Sequence, residues 1–232
     1  MRRLNPFVIF LLFLVTGTLA CVVPGLSITP TPPPSPTPLG DTIFFSAPYA
    51  ISLSETTAIP GTSIRYVQQI GDLHEFNIDG LQAYRQAGDS LTWRGVVAPG
   101  VFGDYRLRLQ RDFSGRLQAD GDVHLAIFNP TAVEIPPTQT PLGSVHYEGI
   151  STQYFVPEGR RIPGTTLVYE GQQNQIAELS GTVGYPYFAQ DDSLFWLGKL
   201  RENVYIRYDL KVESLSDAGL GLSGSAELWV TE

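Results

Sequence analysis

The strongest constraint on this chain is an internal repeat at a constant offset of 103 residues. Residues 37–129 (copy 1) align with residues 140–232 (copy 2) without a gap, and 24 of the 93 aligned positions are identical. The identities include Ile59–Thr62 with Ile162–Thr165, Trp93 with Trp196, and Tyr105 with Tyr208. This similarity predicts two copies of one domain. The proline-containing residues 130–139 are then predicted to be an inter-domain linker.

Period-two alternation dominates both copies. Val123, Leu125 and Ile127 alternate with polar or small residues, as do Leu228 and Val230 at the end of copy 2. This spacing is typical of half-buried β-strands with one wet face. Other strands are predicted near 42–47, 62–69, 73–78 and 90–97. About seven short strands per copy predict an all-β chain of two tandem β-sandwich domains, each with a core tryptophan.

One motif suggests a family. Leu91–Gly95 and Leu194–Gly198 share a Leu-x-Trp-x-Gly pattern, and in copy 1 the glycine-bearing turn Pro99-Gly100 follows it. In this respect the copies resemble the Ig-like conserved-repeat domains of bacterial surface proteins, which implies an Ig-like β-sandwich. The family's usual Asn-Thr-Ala before the last strand is replaced by residues 118–120 and 221–223.

The N-terminus has the composition of an export signal. Two arginines precede the apolar run Phe7–Val15, which is shorter than the roughly 20 residues needed to span a bilayer. Residues 1–20 are therefore predicted to be a signal peptide. Cys21, the only cysteine, follows Ala20 and resembles the lipidated cysteine of bacterial lipoproteins. An ordinary signal-peptidase site is the alternative.

Residues 21–36 are predicted to be a lipidated cysteine followed by a stalk. Six of the thirteen residues from 24 to 36 are proline, which favours an extended spacer about 40 Å long. The resemblance implies attachment to the membrane through the N-terminal lipid, on the extracytoplasmic face. Val22 is not a retention signal of the kind some double-membrane bacteria use, so the membrane of residence stays open.

The net charge of the chain limits the classes of partner that it is expected to bind. After residues 1–20 are removed, 13 basic and 23 acidic residues give 13 − 23 = −10. Nucleic-acid binding is not expected, because phosphate contact requires clustered lysine and arginine. The remaining partners are a glycan or an envelope protein. With no second cysteine, stability must come from burial rather than from a disulfide.

Residues 88–91 spell Gly-Asp-Ser-Leu, the motif of GDSL-type hydrolases, in which the serine is the nucleophile. That family also needs an Asp-x-x-His near its C-terminus, which this chain lacks. Copy 2 has Asp191-Asp192-Ser193-Leu194 at the same place, which favours a turn that enters a strand. We therefore expect no catalytic Ser90 and no enzyme activity. The three histidines lack the spacing of metal ligands, so no metal site is expected, and no cofactor is predicted.

Copy 2 carries aromatic residues that copy 1 lacks. Tyr185 and Phe188 flank Tyr187, which aligns with Tyr84 of copy 1. Asp191 and Asp192 follow this aromatic segment. The alternation in the last strand also places Trp229 on the outer face of its sheet. Aromatic side chains beside carboxylates suit sugar binding. The sequence therefore predicts a non-enzymatic surface lipoprotein serving as an interaction, adhesion or spacer module, with carbohydrate or cell-wall binding by these residues as the alternative. A spacer predicts that these aromatics are buried between domains, and a glycan binder predicts one exposed platform.

Overall fold

The protein is described from a computed structural model, over residues 41–112, 115–182 and 184–232. This part of the chain is all-β and contains no helix, so no helix in it could cross a membrane. The predictions for the signal peptide, Cys21 and the stalk lie outside the described residues. The strands are β1 Thr42–Leu53, β2 Ile64–Ile70, β3 Leu73–Ile78, β4 Leu81–Arg85, β5 Ser90–Ala98, β6 Val101–Arg111, β7 Leu117–Phe128, β8 Val133–Glu134, β9 Val145–Val156, β10 Arg160–Arg161, β11 Val168–Gln173, β12 Ile176–Ser180, β13 Tyr187–Ala189, β14 Ser193–Arg201, β15 Val204–Ser216 and β16 Gly219–Val230.

The strands form antiparallel sheets that repeat from copy to copy. In copy 1 the sheets have the orders β1-β7-β6-β5 and β2-β3-β4. In copy 2 the orders are β9-β16-β15-β14-β8 and β10-β11-β12-β13, so short strands are added at the edges. The all-β prediction is confirmed, and the antiparallel sheets are consistent with a β-sandwich.

A β-bulge distinguishes the pairing of β9 with β16 from that of β1 with β7. Near the end of the last strand, Leu125 pairs with Phe45, whereas its counterpart Leu228 pairs with Tyr147. Further along, Val123 pairs with Ala47 and Ala226 with Ile150. The difference in residue number between equivalent positions of β1 and β9 therefore changes from 102 to 103. In this segment β9 contains one residue more than β1. Gly149, with φ of 66°, lies in the bulge.

The packing of a tryptophan ring over a glycine explains the shared Trp-x-Gly pattern in both copies. The Trp93 indole N–H donates to Ser63 Oγ at 2.8 Å, and the Trp196 indole donates to Thr166 Oγ1 at 3.1 Å. Each ring lies over the glycine two residues later. A Cβ on Gly95 would lie 2.4 Å from the Trp93 ring, and one on the equivalent Gly198 would lie 2.2 Å from the Trp196 ring. Only glycine fits at this position.

The shared Ile-Pro-Gly-Thr segment forms the same turn in each copy. Thr62 Oγ1 donates to the Ile59 carbonyl and accepts from the Ile64 N–H at 3.0 Å. Thr165 makes the equivalent bonds in copy 2. The buried Tyr105 hydroxyl donates to the Pro60 carbonyl at 3.2 Å, so the turn is held against the sheet. These identities are therefore structural.

The two copies share a hydrophobic core. Residues 39–232 form one compact unit, and buried side chains from both copies belong to one continuous cluster. At the junction, the Tyr105 and Tyr147 hydroxyls are hydrogen-bonded, and the Tyr49 ring packs edge-on against Tyr105 at 5.5 Å. The Glu232 carboxylate accepts from the Gly61 N–H at 2.6 Å. Burial and the nearby Glu232 raise the pKa of Tyr49 to about 12.

Candidate functional site

The structure separates Trp229 from the other aromatic residues that the sequence grouped with it. Tyr185 is 76% exposed, whereas Phe188 is half-buried and packs against the main core. Trp229 belongs to a different apolar cluster, formed by Leu197, Tyr205 and the linker residue Ile135. The three residues are thus neither all buried between domains nor part of one exposed platform.

Trp229 lies on the outer face of its sheet, as the alternation predicted, and is half-buried there. Its indole stacks on the His146 ring with centroids 4.7 Å apart, and the Arg207 guanidinium lies over it at 6.0 Å. Arg207 is held in turn by an ion pair with Glu227. A ring covered in this way has little face left for a ligand.

The residues between the copies supply the cover for this face. Within residues 130–139, β8 pairs with the edge strand β14, and the Ile135 N–H donates to the Leu197 carbonyl at 3.0 Å. The Ile135 side chain is 8% exposed and packs in the cluster with Trp229. The segment predicted to be a linker is therefore also part of a sheet, which its proline content did not indicate.

Asp192 and Asp191 have separate local roles. Asp192 Oδ2 accepts from the Ala189 N–H at 2.7 Å, as Asp89 Oδ2 accepts from the Gln86 N–H at 2.8 Å in copy 1. This aspartate caps the turn before the strand in both copies. Asp191 is paired with Lys211 at 2.7 Å. Neither aspartate lines a groove with Tyr185.

Tyr185 forms a ridge beside a polar groove of about 420 Å³, which we call the Tyr185 groove. The Tyr185 and Tyr187 rings pack edge-to-face with centroids 5.4 Å apart, and Tyr187 is 42% exposed. Glu178 lies opposite Tyr187 on the neighbouring strand. The groove is lined by Glu158, Glu170, Gly171, Gln172, Gln173, Asn174, Ile176, Glu178, Tyr185 and Tyr187.

The lining of the Tyr185 groove is rich in hydrogen-bonding groups and carries negative charge. Three glutamates and three side-chain amides face it, and none of its ten lining residues is lysine or arginine. Gln172 Nε2 donates to Asp217 at 3.2 Å, while its Oε1 is buried and has no hydrogen-bond partner among the described residues. The Gln172 carboxamide is therefore engaged with Asp217, so the acceptors that a ligand could reach in this groove are the glutamate carboxylates.

The sequence indicated Tyr185 but missed the glutamates of this groove. Glu158, Glu170 and Glu178 come from three different segments, which the turns before β10 and β12 bring together. Gly171 allows the Glu158 carboxyl to lie close, since an added Cβ would be 3.0 Å from its carboxyl carbon. The sequence does show that copy 2 is the more acidic copy, with a net charge of 6 − 12 = −6 against 7 − 10 = −3 for copy 1.

On its other side Tyr185 borders an apolar groove of about 490 Å³. Phe188 and Phe195 line this groove together with Pro136 and Pro137 of the segment between the copies. Phe195 is 50% exposed. Tyr185 therefore separates a polar groove from an apolar one.

The remaining candidates lie apart from these grooves. Ser90 is exposed at the start of β5, opposite Arg108 on β6. His74 contacts the Tyr66 hydroxyl, and His124 contacts Ser46 Oγ at 3.2 Å. Within residues 41–112, 115–182 and 184–232, no group of three or more His, Cys, Asp or Glu side chains could hold a metal ion.

Comparison with known protein families, with curated proteins and with solved structures finds no match to this chain.

Proposed function

We propose that this chain is an exported, non-enzymatic carbohydrate-binding lipoprotein of a bacterial envelope. In this proposal Cys21 carries the lipid, residues 24–36 form a stalk, and each copy is an Ig-like β-sandwich. The Tyr185 groove of copy 2 is the binding site. Incorporation of labelled fatty acid into the chain, and its loss in Cys21→Ser, tests the anchor separately from the binding site.

The observation that carries the proposal is the exposed Tyr185 ring beside a polar groove. A ring that is 76% exposed on a folded surface has an unused apolar face, and pyranose rings stack on such faces. The adjacent carboxylates of Glu158, Glu170 and Glu178 would accept hydrogen bonds from sugar hydroxyls. Copy 1 has Gln82 at the position of Tyr185, so the ridge belongs to copy 2 alone.

The charge of the groove defines the class of sugar. Glu158, Glu170 and Glu178 would repel an anionic polysaccharide, because no lysine or arginine among the lining residues offsets them. The ligand is therefore a neutral or amino-sugar oligosaccharide. Polymers rich in uronic acid or phosphate are not expected to bind.

A glycan and cell-wall panel probed with purified residues 39–232 tests this proposal. We expect saturable binding to neutral or amino-sugar oligosaccharides. Tyr185→Ala should weaken it about five- to thirtyfold, because stacking against an aromatic ring contributes about 1–2 kcal/mol. Tyr185 is exposed and outside the core, so the variant should unfold at the same temperature as the parent chain.

The matched control is Tyr84→Ala in copy 1. Tyr84 occupies the position of Tyr187 and is 46% exposed, but has no Tyr185 beside it. We expect this variant to bind like the parent chain. Equal losses in the two variants, or binding confined to anionic polymers, would contradict the proposal.

A further inference from the structure

An exposed apolar row crosses the outer face of the large sheet of copy 1. Phe44, Ala126, Phe102 and Val96 lie opposite one another on its four strands, in that order. Phe44 and Val96 are each 69% exposed, and Phe102 is 36% exposed. We call these four residues the apolar row. A contiguous apolar patch of this kind marks an interaction surface more often than an ordinary wet face.

Copy 2 has the equivalent row, and there the chain covers it. His146, Trp229, Tyr205 and Lys199 occupy the same positions across the four strands. Ile135 packs in one cluster with Trp229 and Tyr205, and the Lys199 ammonium lies over the Tyr205 ring at 4.9 Å. Tyr205 is therefore only 7% exposed. The covering segment is held by its backbone, since β8 pairs with β14 at the edge of the sheet.

Among the described residues, nothing occupies in copy 1 the edge that β8 occupies in copy 2. The strand β5 corresponds to β14, and no strand within residues 41–112, 115–182 and 184–232 pairs with its outer edge. Gly95 and Val96 stand at the positions of Gly198 and Lys199, the two residues that pair with β8. Within the part of the chain that the structure describes, copy 1 thus combines an unpaired strand edge with an uncovered apolar row, and copy 2 shows how an extended segment fills both.

We propose that the β5 edge and the apolar row form a docking site for an extended segment of another polypeptide. The segment adds a strand to β5 by backbone hydrogen bonds and places one apolar side chain on Phe102 and Ala126. This site is on copy 1 and does not depend on sugar binding at the Tyr185 groove.

The segment that fills the site in copy 2 indicates the chemistry of the partner. It is Val133-Glu134-Ile135, followed by two prolines, so the occupant has a β-branched residue one position before a proline. Copy 1 also carries Arg94 where copy 2 has Leu197, and Arg94 shares the Asp104 carboxylate with Arg106. Arg94 is the only charged residue of β5 and its side chain is 66% exposed, which favours an acidic residue in the partner segment.

The same charges disfavour a second copy of this chain as the occupant. Pairing β5 with its own copy about a two-fold axis near Arg94 would bring the two exposed Arg94 side chains, one from each chain, close together. Like charges across a sheet junction are destabilising. An acidic segment of another protein would not place like charges across this junction.

The test uses the chain's own covering segment as the probe. A synthetic peptide of residues 130–139 (PTAVEIPPTQ) is titrated into ¹⁵N-labelled residues 39–232, the compact unit that contains all the described strands. We expect saturable shifts at Arg94, Gly95, Val96 and Phe102 at peptide concentrations up to about 2 mM. Shifts only at β14 would mean that the peptide exchanges with β8, and no shifts would mean that the β5 edge is closed; either result overturns the proposal.

Two controls separate strand pairing from side-chain contact. In copy 2 the Ile135 N–H donates to the Leu197 carbonyl, so methylation of that peptide nitrogen should weaken binding about tenfold or more. Phe102→Asp in the protein should have a similar effect. The methylated peptide needs no protein variant, so it remains decisive if Phe102→Asp does not fold.

Two further measurements complete the test. Tyr185→Ala should leave peptide binding unchanged, which separates this site from the sugar site. Concentration-dependent dimerisation that is lost in Phe102→Asp would instead identify a second copy as the occupant, and would overturn the proposal of a foreign segment.

Discussion

The contact between Trp93 and Gly95 allows a quantitative test of why the two copies share a Trp-x-Gly pattern. In Gly95→Ala the new methyl group would lie 2.4 Å from one ring carbon of Trp93 and 2.6 Å from another. The ring has little freedom to move away, because its N–H is bonded to Ser63 and its face packs edge-on against Tyr105 at 5.7 Å. We expect a loss of about 2 kcal/mol in the free energy of unfolding, which is typical of overpacking in a core.

The same substitution should be harmless once the ring is gone. Gly95 does not have a positive φ, so alanine fits the backbone there and should gain about 0.5 kcal/mol over glycine in a strand. Trp93→Leu alone should cost about 3 kcal/mol, because a large buried side chain is shortened. When Trp93→Leu is already present, Gly95→Ala should therefore stabilise slightly. The coupling energy of the double-mutant cycle is then about 2.5 kcal/mol.

Urea unfolding followed by far-ultraviolet circular dichroism measures all four chains of this cycle. The β-sheet signal is preferable to tryptophan fluorescence, because the cycle removes one of three tryptophans. A coupling energy below about 0.5 kcal/mol would mean that the two sites are independent. That result would refute the steric explanation of the motif.

Three other predictions concern the covering segment, the tyrosine cluster and the turn aspartates. Ile135→Ala should lower the free energy of unfolding, measured in urea, by about 2 kcal/mol, because it truncates a buried side chain. The control Val133→Ala shortens a side chain that is 53% exposed, so it should change the same free energy by less than about 0.5 kcal/mol. Burial raises the pKa of Tyr49 to about 12 and also raises the pKa of Tyr147, so above pH 10 these tyrosines lose protons in the unfolded chain before they do so in the folded protein. The free energy of unfolding should therefore fall as pH rises above 10, by about 1.4 kcal/mol per pH unit for each buried tyrosine. A free energy of unfolding in urea that stays constant to pH 11 would exclude this. Asp192→Ala should cost about 1 kcal/mol by thermal unfolding and leave sugar binding intact, because its carboxylate caps a turn away from the Tyr185 groove.

The strands were predictable because alternation is a local property. The predicted segments 73–78 and 90–97 nearly coincide with β3 and β5, and the expected core tryptophans are both buried. The turns were predictable for a similar reason, since aspartate and glycine determine their own local backbone.

The contacts between distant segments were not predictable. Alternation placed Trp229 on an outer face, but it could not show that Ile135 would cover that face. The Tyr105–Tyr147 contact joins the two copies into one core, and no repeat pattern reveals a contact that the copies do not share. The glutamates of the Tyr185 groove converge through folding of three separate segments, so the sequence indicated one side of the candidate site only.

The most direct test of the carbohydrate-binding proposal is a titration of ¹⁵N-labelled residues 39–232 with an amino-sugar oligosaccharide that is retained on the glycan panel. The proposal predicts saturable shifts at Tyr185, Tyr187 and Gln172, with no change at the equivalent positions Gln82 and Tyr84 of copy 1. Binding that leaves the Tyr185 groove unshifted, or a complete absence of shifts at millimolar sugar, would contradict it.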